Sequence, residues 1–95
     1  MPHLPKASLR DRIRIKFAEA DFEIGFSLVD IAEAESIYGN YARAARILHD
    51  ADDVMLDIQQ ILCGLRMSDR SPFEPLLGEL NRAIGLAKMH TASPQ

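Results

Sequence analysis

The chain has 95 residues, of which 47% are hydrophobic and 26% charged, and its formal net charge is −3. These values predict one small globular domain and exclude an intrinsically disordered chain, while so small a net charge identifies no class of partner. Cys63 is the single cysteine, so no intrachain disulfide can form. The absence of a signal-peptide core or an 18-residue apolar run leads us to expect a cytoplasmic protein that does not contact membranes.

The first predicted element is a long helix that follows a short arm. Residues 1–7 contain two prolines and no helical period, so we predict a flexible arm. Ser8 is a suitable N-cap, and nothing interrupts the helix from Leu9 to Tyr38. Gly25 lowers the helix propensity at its position and is expected to let another helix approach closely.

The apolar residues of this first helix form two stripes. The main stripe, predicted to face helix two, comprises Phe17, Ala20, Ile24, Leu28, Ile31 and Tyr38. The second stripe comprises Ile15, Phe22, Phe26 and Val29, and is covered by a third helix or, in part, by a partner.

A tight turn leads into the second helix, predicted over residues 41–63. Gly39 suits the left-handed residue that ends a helix, and the side-chain oxygen of Asn40 is expected to cap the next one. So short a connection places the two helices antiparallel. Gly64 is expected to cap the second helix, and Cys63 to be a buried, inert thiol. The residues predicted to be buried together in the hairpin are Leu28, Ile31, Leu48 and Ala51.

The third helix is predicted over residues 73–89. Ser71 and Pro72 form a helix-start signature, although Pro75 allows the start to shift. Gly78 and Gly85 leave a smooth strip against which another helix could pack. Residues 91–95 are predicted to be a flexible tail. The sequence therefore predicts an all-α fold, a three-helix bundle built on a long antiparallel hairpin, in one domain over residues 8–90.

The hairpin resembles known helical families. Over about a third of the chain, the pattern of Leu28, Ile31, Ala32, Gly39, Tyr41, Ala44, Leu48 and Ala51 is similar to one tetratricopeptide repeat. The Gly-Asn-Tyr-x-x-Ala pattern at residues 39–44 also resembles microtubule-interacting-and-transport domains, which are three-helix bundles. Generic packing of a close helical hairpin selects the same small residues, so kinship and generic geometry both remain open. Either resemblance implies a non-catalytic module that binds peptides or helices.

The sequence contains no catalytic motif. It has no glycine-rich phosphate loop, no nucleophile elbow and no paired Cys and His with family spacing. Asp30, His49 and Asp53 were considered as zinc ligands, but such residues are common on exposed helix faces. We therefore predict a protein that is not an enzyme and has no cofactor or bound metal.

Charge is unevenly distributed along the chain. The first eighteen residues contain five basic side chains and one acidic one, whereas residues 19–57 contain ten acidic side chains and two arginines.

Helix two should end level with about Lys16, so the first two turns of helix one project beyond it. A second copy could cover this end and bring its own acidic region to it, which predicts a homodimer through residues 9–26. Nucleic-acid binding by the basic end is the weaker alternative. The predicted interaction residues are Leu9, Arg10, Arg12, Ile13, Arg14, Ile15, Lys16, Phe22 and Phe26.

Overall fold

The structure, a computed structural model, describes residues 9–91, and within that range the fold is all-α. Helix α1 (Leu9–Ile37) and helix α2 (Tyr41–Cys63) form the hairpin. Helix α3 (Met67–Arg70) and a 3-10 turn (Ser71–Phe73) lead to helix α4 (Glu74–His90). The predicted three-helix arrangement is confirmed, and the ends of the three long helices differ from prediction by at most one residue. The predicted arm, the Ser8 cap and residues 92–95 lie outside the described residues.

The turn of the hairpin has the predicted backbone but a different cap. Gly39 has a φ of +83°, the left-handed conformation that favours glycine. Its N–H donates to the Ser36 carbonyl at 3.0 Å, and the Asn40 N–H donates to the Glu35 carbonyl at 2.8 Å. The prediction that the Asn40 side chain caps α2 is wrong. Its amide nitrogen instead donates to Glu35 Oε2 at 2.7 Å, a charge-assisted hydrogen bond to α1, and its side-chain oxygen makes no capping bond.

Helix α1 packs against the rest of the chain through a face that includes the second stripe, so the assignment of the main stripe to the core is wrong. Four of its six buried residues are alanine, glycine or serine, and small side chains let neighbouring helices come close to the helix axis. Of the predicted hairpin core, Leu48 and Ala51 are buried, Leu28 is half-buried, and Ile31 is 47% exposed. The buried residues of α1 are Ala18, Phe22, Gly25, Val29, Ala32 and Ser36. The exposed residues of the main stripe are Phe17, Ala20, Ile24, Ile31 and Tyr38.

The chain from the 3-10 turn into α4 covers the second stripe, as predicted. The ring of Phe73 stacks on that of Phe22, with 5.9 Å between the ring centroids. Leu80 is fully buried and lies over Gly25, where a Cβ atom would be 3.0 Å from Leu80 Cδ2. The expectation that Gly25 permits a close approach is therefore confirmed. A 3-10 turn precedes α4, which starts at Glu74, and Glu74 is helical (φ −62°, ψ −43°) although Pro75 follows it, so the restriction expected from Pro75 does not move the start further.

Polar contacts fix the C-terminal end of α4 against the hairpin. The Ser36 hydroxyl donates to the His90 carbonyl at 3.0 Å, and Lys88 Nζ lies 2.7 Å from Asp52 Oδ2. Thr91 is buried, and its hydroxyl donates to the Lys88 carbonyl at 3.3 Å. The predicted flexible tail is therefore wrong for Thr91, which completes the last turn of the helix.

The C-terminal end of α2 is closed by Gly64 in right-handed rather than left-handed geometry, with a φ of −83°. A Cβ atom there would lie 2.7 Å from Arg14 Nη1, so a larger residue would require the end of the flexible Arg14 side chain to move. Leu65 turns back and joins the hydrophobic core. The prediction that Cys63 is buried is wrong. Leu62 occupies the core-facing position at this end of α2, which leaves Cys63 on the exposed side.

Candidate interaction surface

The first turn of α1 extends beyond the end of α2. Arg14 Nη1 donates to the Gly64 carbonyl at 3.1 Å, which places the end of α2 level with Arg14. Residues 9–13 therefore continue past it, which is about one turn rather than the two turns that the helix lengths predicted. Leu9 is 68% exposed and Ile13 is 46% exposed. The basic side chains exposed around them are Arg10, Arg12 and Lys16.

The other predicted interaction residues face inward to different degrees. Arg14 is half-buried, with its guanidinium on the Gly64 carbonyl. Ile15 and Phe26 are partly buried and pack against the core. Phe22 is 4% exposed beneath the aromatic ring of Phe73. The assignment of Phe22 to an interaction surface is therefore wrong, because the chain that follows α2 already covers this side chain.

A longer exposed surface runs along α1 on the side opposite its core face. Its four large residues Phe17, Ile24, Ile31 and Tyr38 recur every seven residues and are between 47% and 82% exposed. Small exposed residues alternate with them. Their seven-residue spacing was visible in the sequence, but was attributed to the core. We call this surface the outer seam; its residues are Ile13, Phe17, Ala20, Ile24, Ser27, Ile31, Ala34 and Tyr38.

Charges flank the outer seam and change sign along it. Lys16, Glu23 and Asp30 follow one edge at intervals of seven residues, all exposed. On the other edge, Asp21 is half-buried where α1 meets α2. Desolvation raises the pKa of the Asp21 carboxyl above its ordinary value, and the nearby carboxylate of Asp57 raises it further. The seam therefore has a basic N-terminal end and an acidic remainder.

One alternative to the seam is an open groove between α2 and α4 with a volume of about 420 Å³. Arg70 lies in it with its Nε atom 3.4 Å from Glu74 Oε1. Cys63 lines the same groove, without a histidine or a further cysteine in the lining. The groove therefore assembles no nucleophile and base. Within residues 9–91, no three side chains among His, Cys, Asp and Glu are grouped so that they could hold a metal ion.

The glycine strip of α4 contacts no other helix within the described part of the chain. A Cβ atom at Gly85 would have no neighbour within 4 Å, and one at Gly78 would meet only Arg82 Nη1 at 3.9 Å. This strip carries less apolar surface than the outer seam, because its glycines have no side chain. The outer seam is therefore the stronger candidate for an interaction surface.

Comparison with known proteins yields no relative: no family model, curated protein or solved structure matches this chain. The helical hairpin within a three-helix arrangement is compatible with a helical repeat-like unit. No helix within residues 9–91 has an apolar stretch long enough to cross a bilayer.

Proposed function

We propose that this protein is a non-catalytic helical interaction module that self-associates through the outer seam of α1. The observation that carries the proposal is the seam itself, a continuous apolar surface on the side of α1 that residues 9–91 leave uncovered. Contiguous apolar surface on a small protein commonly marks a site of association. The proposal extends the predicted dimer surface from residues 9–26 to the whole helix.

The distribution of apolar residues around α1 supports the proposal. They are spread around the helix rather than gathered on one face, in contrast to those of α2. A helix that is apolar on several sides is normally covered on all of them. Here α2 and the segment from Leu65 to α4 cover one side, and the opposite side needs another molecule.

The resemblance of the hairpin to tetratricopeptide repeats and to microtubule-interacting-and-transport domains is consistent with this function. Both families present helical surfaces to other polypeptides and perform no chemistry. In the proposed function the protein likewise needs no cofactor, and Cys63 and His49 have no chemical role. We take the setting to be cytoplasmic, since the chain contains a single cysteine.

Sedimentation velocity at micromolar concentration tests the proposal. We expect wild type to dimerise and Ile24→Asp to be monomeric, because a carboxylate in the seam would lose its water without gaining a partner. Ile13→Asp should weaken the dimer in the same direction. Leu86→Asp is the matched control, because Leu86 is 54% exposed on α4, close to the 48% of Ile24. This control should dimerise like wild type.

A wild-type protein that is monomeric throughout the micromolar range would contradict self-association. Equal loss of dimer in the Ile24→Asp and Leu86→Asp variants would show that the added charge, and not the seam, is responsible. Circular dichroism of each variant shows whether the helices are retained.

Nucleic-acid binding by the basic end is a second candidate function. The exposure of Arg10, Arg12 and Lys16 on the projecting turn favours it, since such a cluster would contact phosphates. Titration of wild type into duplex DNA at two salt concentrations distinguishes the two functions. Binding that falls steeply with salt and disappears in Arg12→Gln would favour nucleic acid.

A further inference from the structure

We infer that the surface that covers the outer seam is the outer seam of a second copy, packed antiparallel so that Ile13 of one copy faces Ile31 of the other. This inference rests on the proposed self-association and adds its orientation and register. Three features of α1 support it: the period of the seam, the alternation of side-chain size, and the reversal of charge along the helix.

The period of the seam is that of a coiled coil. Core positions in such assemblies alternate at spacings of three and four residues, which repeat every seven. From Ile13 to Tyr38, the seam follows this alternation without a break, and Arg10 continues it by one position. One series of positions seven apart carries Arg10, Phe17, Ile24, Ile31 and Tyr38, and the other carries Ile13, Ala20, Ser27 and Ala34.

The alternation of side-chain size favours the antiparallel orientation. In that orientation a residue of one series faces a residue of the other series. Phe17 then faces Ser27 of the second copy, and Ile24 faces Ala20. In these central layers a large side chain meets a small one, which fills the layers evenly and lets the helices approach closely, whereas Ile13 and Ile31 form a layer of two large side chains on either side of them.

A parallel pair would pack less well, because each residue would then face its own counterpart. Phe17 would meet Phe17, whereas Ala20 would meet Ala20 and leave space. Arg10 would meet Arg10 inside the contact, which places two like charges together. The parallel orientation therefore combines overfilled layers, underfilled layers and charge repulsion.

Charge along the edges of the seam also selects the antiparallel orientation. In the register that places Ile13 opposite Ile31, Lys16 lies beside Asp30 of the second copy, and this pair occurs twice by symmetry. The basic first turns of each α1 meet the acidic second half of the other. Two like-charge contacts lie at the centre, Glu23 with Glu23 on one edge and Asp21 with Asp21 on the other, whereas the two attractive pairs lie nearer the ends.

The size of the contact sets the concentration at which it should form. In this register about 27 residues of each α1 overlap, which is about 40 Å of helix. A contact strip about 10 Å wide on each copy gives a total on the order of 800 Å², which is below the size of a standard stable interface. We therefore expect a weak dimer with a dissociation constant in the micromolar range, so that the dimer forms at the upper end of that range and dissociates at the lower end.

Cross-linking of two cysteine variants determines the orientation. Ile13→Cys and Ile31→Cys are each made in a Cys63→Ser background, since Cys63 is exposed and would react. One variant carries an affinity tag so that the mixed dimer has its own mobility on a gel. The two are unfolded in urea, refolded together and treated with a short bismaleimide. Each variant alone is the matched control, and sedimentation velocity of each shows whether it dimerises.

We expect efficient cross-linking in the mixture, as the mixed dimer, and almost none in either variant alone. In the antiparallel register two cysteines at position 13 lie about 27 Å apart along the helices, beyond the reach of the reagent. Efficient cross-linking of each variant alone would establish a parallel pair and overturn the inference. A dimer in sedimentation with no cross-link in any sample would place the interface elsewhere and also overturn it. Absence of the dimer in sedimentation would instead overturn the proposed function.

Discussion

Helices α1 and α2 lie side by side in one hairpin, yet they use their apolar residues differently. Most of those of α2 gather on one face and pack against the rest of the chain, and its outward face is mainly charged, with Leu56 as an exposed apolar residue. Those of α1 lie on two opposite sides, and only one side is covered. A helix with one apolar face can bury that face within its own domain, whereas a helix with two opposite apolar sides needs a further contact to cover the second side. The buried residues of α2 are Ala44, Leu48, Ala51, Ile58 and Leu62.

The largest expected effect is a difference in the free energy of unfolding between substitutions at Leu48 and at Ile31. The sequence predicts both residues in one core. Leu48 is 2% exposed on α2, and Leu48→Ala should lower the free energy of unfolding by about 2–5 kcal/mol. Ile31 lies on the outer seam, and Ile31→Ala should lower it by about 1 kcal/mol or less in dilute protein. Urea unfolding followed by circular dichroism, below the concentration of dimerisation, measures both. Equal losses would mean that both sides of α1 are buried within the chain.

The difference between the two helices also explains how much of the fold could be predicted. With one apolar face, α2 admits one orientation, and its core residues Leu48 and Ala51 were assigned correctly. With two apolar stripes, α1 admits two orientations, and the sequence pattern favours the longer stripe, which runs from Phe17 to Tyr38. The buried side of α1, which contacts α2 and α4, in fact consists mainly of small residues, because close packing of helices depends on them. Gly25 was the available signal, since a glycine in mid-helix suggests a close approach.

The candidate site could be predicted only where helix length determines it. The position of the turn and the end of α2 predicted a projection of two turns, and the contact between Arg14 and Gly64 reduces it to about one turn, residues 9–13. The burial of Phe22 depends on Phe73, which is distant in the sequence and reaches it only after α3 and the 3-10 turn. No local pattern around Phe22 reports such a contact.

An intermediate effect on the free energy of unfolding is expected at two glycines. Gly25 lies on the covered side of α1, and Gly85 lies on an uncovered side of α4. Gly25→Ala should lower the free energy of unfolding by about 1–2 kcal/mol, because the new methyl group meets the fully buried Leu80. Gly85→Ala should raise it by about 0.5–1 kcal/mol, since nothing surrounds Gly85 and alanine favours the helix. Thermal or urea unfolding of both variants provides the measurement. A stabilised Gly25→Ala variant would show that Leu80 can move away and that the small-residue face is not tightly packed.

The smallest effect is expected at Asp21, on the edge between the two sides of α1. Desolvation and the Asp57 carboxylate raise its pKa in the folded protein above the ordinary value of about 3.9. The folded state then holds the Asp21 proton more tightly than the unfolded state does. This contribution to stability is fully present below pH 3.9 and is lost as the pH rises through the folded-state pKa. Arg14 lines the same surface groove between α1 and α2 as Asp21 and Asp57, and its guanidinium donates a hydrogen bond to the Gly64 carbonyl.

Asp21→Asn removes the charge that this environment disfavours, so the variant should be slightly more stable than wild type at pH 7. The difference should shrink as the pH falls towards 4. Urea unfolding at several pH values between 4 and 7 measures it, with Asp53→Asn on the exposed face of α2 as the control. The control should change the unfolding midpoint little at any of these pH values. A lower midpoint for Asp21→Asn at pH 7 would mean that the ionised carboxylate is stabilised where α1 meets α2, and that the edge of the covered face is more polar than its neighbours indicate.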